Sequence, residues 1–153
     1  MTCFVYDRMK SGMTVRGLWT LYAILVVVEC LLEIPGLNMG VYTYYGNQPF
    51  VLMKFPLWWP FMNAAGPMVA GCMAYRMQPH IKPLLQPVAF YTVALSNAMV
   101  MFGSGLPTYF VLNTDAGMLA THLVGAFTIG LACYFVYMVI LLAARDSPAL
   151  SRQ

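Results

Sequence analysis

Glu29 and Glu33 stand four residues apart at the end of the first apolar run of a chain that is only 8% charged. At that spacing on a helix the two carboxyls share one face, with Cβ atoms roughly 5–6 Å apart. Two carboxyls so close in an apolar setting do not both ionise readily, so one is expected to stay a neutral acid near pH 7. Such a pair suits acid–base chemistry: the deeper Glu29 gives a proton, and Glu33 accepts one or stabilises charge. Asp115 and His122 are the further ionisable candidates for tuning the pair. One nearby histidine and no ligand spacing argue against a metal site, and acid–base chemistry of this kind needs no cofactor.

The residues that follow supply candidate walls. Tyr42, Tyr44, Tyr45, Trp58 and Trp59 form an aromatic cluster in the sequence, with Asn47 and Gln48 between them and Asn63 and Asn97 further on. An interfacial aromatic belt has the same composition. The sharper reading is a pocket for a lipophilic substrate, with aromatic faces that steady a cationic intermediate and amides that orient it. Asn63 and Asn97 are also what interhelical hydrogen bonding would use.

These residues need elements to hold them, and the composition names the solvent of those elements. The chain has 153 residues, of which 61% are hydrophobic, and its charged share is far below the ~25% of soluble domains. Four apolar stretches recur, at about residues 17–34, 55–75, 84–102 and 118–144. Helices that are apolar all round belong in a bilayer. The expected fold is therefore all-α: one membrane domain over residues 1–153, a polytopic bundle of four transmembrane helices. The first span is expected to stop at Pro35-Gly36 and the third at Gly103 and Gly105. Prolines at 56, 60 and 67 are tolerable in the second, because neighbouring helices can satisfy the freed carbonyls.

Charge sets the orientation. Arg8, Lys10, Arg16, Arg76, Lys82, Arg145 and Arg152 fall on one side of the four spans, and Lys54 alone on the other. The positive-inside rule then places both termini in the cytoplasm of a multi-pass cell-membrane protein. It also puts Glu29, Glu33, Asn63, Asn97, Asp115 and His122 together in the outer half, and ionisable groups at such depth mark functional sites. Small residues at helical spacing, Gly66-Ala70-Ala74 and Gly117-Thr121-Gly125, predict helix contacts. Gly125 is expected at such a contact and Val139 toward lipid.

Several classes are excluded. The cysteines at 3, 30, 72 and 133 have no Cys-x-x-Cys spacing, so neither a disulfide framework nor a zinc site is expected. The net charge of +3 is too small to point to nucleic acid. No secretory signal, myristoylation pattern or prenylation box is read in the sequence.

The succession Glu29-x-x-x-Glu33-Ile34-Pro35, Tyr42-x-Tyr44-Tyr45-Gly46-x-Gln48-Pro49, Trp58-Trp59 and Asn63 resembles the AveC-like spirocyclase family of actinobacterial membrane proteins. The resemblance extends through most of the chain. It implies dehydrative closure of a spiroketal, or a related ring, on a lipophilic polyketide or lipid. It also implies further helices before this region, so the expected partners are substrate, membrane lipid, and a second copy or a protein supplying those helices. No site residue is carried over from the family; the candidates rest on the physical argument. Two other classes remain open. One is a membrane terpene-type cyclase; the other is a non-catalytic small membrane subunit, or a lipid or proton carrier.

Overall fold

The computed structural model describes residues 1–145; Arg152 lies outside the described residues. Among these, the fold is all-α, with five α-helices and one two-residue hairpin. Helix α1 spans Thr2–Lys10, α2 Val15–Asn38, α3 Trp58–Met77, α4 Ala89–Leu112 and α5 Met118–Arg145. Strands β1 (Val51–Leu52) and β2 (Phe55–Pro56) pair antiparallel between α2 and α3. Of the helices, α2 and α5 are long and apolar enough to cross a membrane.

Helix α3 is the centre. It packs on α1, α2, α4 and α5, and most of its residues from Trp58 to Cys72 are buried. The surrounding helices turn large apolar side chains outward: Leu31 is 69% exposed on α2, Phe90 83% on α4 and Leu119 75% on α5. The buried faces of α4 and α5 add a few hydroxyls to their apolar side chains, Ser104, Thr108 and Thr128 among them. Thr108 and Thr128 share a 2.7 Å hydrogen bond between α4 and α5. Ser96 and Ser104 donate to carbonyls one turn back in α4. Among the described residues no buried side-chain nitrogen or oxygen lacks a partner. The core is apolar, with Trp58, Met62, Met68 and Leu18 among its fully buried side chains, and its few hydroxyls are all hydrogen-bonded.

Four boundaries differ from the sequence expectation, and the simplest is the start of α4, at Ala89 after a 3₁₀ stretch over Pro83–Val88. Helix α2 continues through Pro35 to Asn38 and stops at Gly40. Gly40 takes φ +74°, its N–H donates to Leu37 O, and Val41 N–H donates to Gly36 O. That is a Schellman termination, which needs a residue without a Cβ at its left-handed position. Helix α3 begins at Trp58, since residues 51–56 form the hairpin around Met53 and Lys54, both at positive φ. Helix α4 runs past Gly103, Gly105 and Pro107 to Leu112. Gly105 serves packing there: a Cβ would lie 2.6 Å from Met62 Sδ.

Two packing expectations also change. Gly125 is buried, but it meets the loop after α2 rather than a helix, with Pro49 Cγ 2.6 Å from where a Cβ would stand. Val139 is a core residue, 7% exposed, and its carbonyl accepts from Cys72 Sγ. Helix α1 is unforeseen: Val5 and Met9 are buried against the bundle, with Val5 seated on Gly71 of α3. Its other faces keep Asp7, Arg8 and Lys10 exposed.

Candidate functional site

Pro35 and Gly36 leave α2 intact, so Glu29 and Glu33 remain one turn apart on a continuous helix. Both are half-buried. Asn63 Nδ2, in the second turn of α3, lies 3.4 Å from Glu29 Oε2 and donates to it. The Schellman turn reverses the chain, and Tyr42 returns to hydrogen-bond the Glu33 carboxyl. Tyr44 donates to the same oxygen, Oε2, at 3.4 Å. Partial desolvation, then the hydrogen bond and charge of Glu33, push the Tyr42 phenol up to about 12. The Tyr44 phenol is raised for the same reasons, burial first. Both tyrosines therefore remain donors throughout the physiological range.

An aromatic wall extends from this cluster. Tyr44 meets Trp59 edge-on at 5.5 Å, Trp59 meets Trp58 at 5.4 Å, and Tyr109 of α4 meets Trp58 at 5.5 Å. Such edge-to-face contacts suit the ring quadrupoles. Gln48 fastens the loop to this wall: its Oε1 accepts from Trp58 Nε1 at 2.9 Å and its Nε2 donates to Tyr45 O at 2.6 Å. Gln48 is thus a buried structural link, 7% exposed.

The remaining candidates lie apart. His122, on α5, accepts the Phe50 N–H at Nδ1 (3.3 Å) and stacks on the Phe50 ring at 4.8 Å. It holds the loop from the far side. Asp115 is exposed in the α4–α5 turn, and Asn47 lines a cleft of about 120 Å³ there with Leu112 and Thr121. Tyr45 is exposed, with its hydroxyl 3.5 Å from Asn113 Nδ2. Asn97 does not join the group. Because α4 extends to Leu112, Asn97 lies in its early turns, close against Gly66 of α3 and lining a different groove.

The structure thus brings Glu29, Glu33, Asn63, Tyr42, Tyr44 and Trp59 together, with Trp58 and Gln48 behind them. Among the described residues no cluster of His, Cys, Asp and Glu could hold a metal ion. Tyr109 lies beyond Gly103, where the sequence expectation ends the third stretch. Its signal is Pro107-x-Tyr109, legible once glycine and proline are allowed inside a helix. Compared with protein families, curated proteins and solved structures, the chain matches none.

Proposed function

We propose that this chain is a four-span protein of the cell membrane with both termini cytoplasmic, and that its outer carboxyl pair performs acid–base chemistry on a lipophilic molecule. The observation that carries the reading is the division of labour on one face of α2. Glu33 Oε2 is the shared acceptor of two phenols, whereas the neighbouring Glu29 has a single amide partner, Asn63. Glu29 is free to give a proton, and Glu33 with its tyrosines is placed to take one. Both are half-buried on the flank of the bundle, so a reactant would enter sideways from lipid and meet Trp59 and Tyr44 as walls.

The AveC-like resemblance supplies the reaction. Glu29 protonates a hemiketal hydroxyl, which leaves as water and forms an oxocarbenium ion. A second hydroxyl of the same molecule attacks that carbon, and its proton passes to the Glu33 side. The net change is loss of one water, with no cofactor. The aromatic faces steady the cation, and exclusion of water guards it.

The test is turnover of a dihydroxy-ketone by wild-type, Glu29→Gln and Glu33→Gln proteins of matched abundance in lipid. Glutamine keeps the shape and removes the titrating proton. Loss of ~10²–10⁴-fold is expected for a positioned acid or base. Wild-type rate and stereochemical outcome in both variants would overturn the reading. The non-catalytic subunit would then stand, since two phenols on one carboxyl also make a loop latch.

A further inference from the structure

At the opposite end of the bundle, two cavities of about 640 and 380 Å³ adjoin, sharing Thr2, Phe90 and Val93. Together they form one groove between α1, α3 and α4. Its deep end lies at Gly66 and Asn97, and its mouth at Tyr6, Gln78 and Ile81. From Gly66 to Gln78 is about 18 Å along α3 at 1.5 Å per residue. That slightly exceeds the ~15 Å of half a hydrocarbon core.

The walls and mouth differ in chemistry. Ala70, Ala74, Phe90, Val93 and Ala94 make the shaft apolar. At the mouth Tyr6 hydrogen-bonds Gln78, and Lys10 Nζ sits 5.9 Å from the Tyr6 ring centroid. Thr2, Tyr6 and Lys10 follow one another at four-residue spacing, so Lys10 stands on the groove stripe of α1. Lys82, exposed, follows Ile81 of the lining. Asp7, the acidic residue of α1, falls off that stripe.

We propose that this groove holds one acyl chain of an anionic phospholipid, with its phosphate at Lys10 and Lys82 beside Tyr6 and Gln78. The length fits one leaflet, and a lysine against the Tyr6 ring and another next to Ile81 complement a phosphodiester at the leaflet surface. The site rests on the membrane reading but not on the carboxyl pair.

Native mass spectrometry of the full chain with phosphatidylglycerol, with phosphatidylcholine of the same chains and with inorganic phosphate tests this. Phosphatidylglycerol should be retained in preference to phosphatidylcholine, and free phosphate should not compete. Lys10→Gln and Lys82→Gln should each weaken retention about fivefold, the scale of one basic residue at a charged surface. Ala94→Phe, which fills the shaft from an exposed position, should abolish it, whereas Glu29→Gln should leave it unchanged. A second readout uses native Cys3, which lines the groove and is exposed: phosphatidylglycerol should slow its alkylation in a chain whose other cysteines are alanine. Equal retention of the two lipids, or a bound fraction indifferent to Ala94→Phe with Cys3 unprotected, would overturn the proposal.

Discussion

The two ends of α3 are sealed in opposite ways. At its N-terminal end a loop folds over the bundle and is fastened by directional bonds: Tyr42 and Tyr44 to Glu33, Gln48 to Trp58, Phe50 to His122. At its C-terminal end α1 lies alongside by shape, Val5 on Gly71, with the Tyr6–Gln78 bond at its rim and a groove left open beside it. Polar fastening fixes a geometry, which acid–base chemistry needs. Apolar seating with an open flank leaves room for a chain of variable shape. One helix thus supports a rigid end and an accommodating end.

The proposed topology puts the two ends of α3 on opposite sides of a membrane. Single cysteines at Asn47 and Ser11, both exposed, in a chain without its native cysteines should react from opposite sides of sealed vesicles. The effect is all or none, and labelling from one side would remove the depth argument for Glu29 and Glu33 as well.

Enlarging a glycine at each end tests whether the two ends act separately. Gly125→Leu forces Pro49 and Phe50 off α5, and Gly71→Leu forces Val5 and the Tyr6 backbone off α3. Overpacking of this kind costs about 1–3 kcal/mol. Gly125→Leu should raise Asn47Cys labelling and lower turnover while sparing lipid retention. Gly71→Leu should do the reverse. Identical loss of turnover and of lipid retention in both variants would show that the two ends are not independent.

The smallest effect concerns the latch itself. Tyr42 has a phenol raised from 10.0 to about 12 in the folded chain. A raised value means that folding favours the protonated phenol, so its contribution is complete below pH 10 and is lost as pH rises toward 12. Asn47Cys labelling in wild type should therefore climb over that window. In Tyr42→Phe it should start higher and climb less. Tyr42 is 39% exposed, so the change is modest. Parallel curves for both proteins would mean that Tyr42 does not hold the loop.

Much of this arrangement was legible from residue types and little of it from boundaries. The fourth apolar stretch was placed almost to the residue, because nothing within it resembles a stop. Glu29, Glu33 and Asn63 meet because helical spacing and an antiparallel neighbour suffice to bring them together. Ending the first and third stretches at Pro35-Gly36 and Gly103 is too early, because both helices continue through these residues to Asn38 and Leu112. Counting depth from Gly103 sets Asn97 too near the outer end, whereas it lies midway along the bundle, against Gly66. Helix α1 escaped because its buried face is only Val5 and Met9, too short a stripe to show a period. Gln48 and His122 look like chemistry by residue type, and in the structure they hold the loop through Trp58, Tyr45 and Phe50. No pattern in sequence separates those two uses of a polar side chain.

Helix α3 carries Asn63, Pro67 and Arg76, and it is α2 and α5 that have the length and apolarity of stand-alone spans. Yet α3 is the helix that all the others touch. Delivered alone to a bilayer during synthesis, such a segment would partition poorly. In the proposed four-span bundle it would gain its place by pairing with α2, which precedes it, and its outer face would be covered only when α4 and α5 arrive. Biogenesis of such a bundle would be cooperative, and α3 is the segment left uncovered in any chain cut short after residue 88.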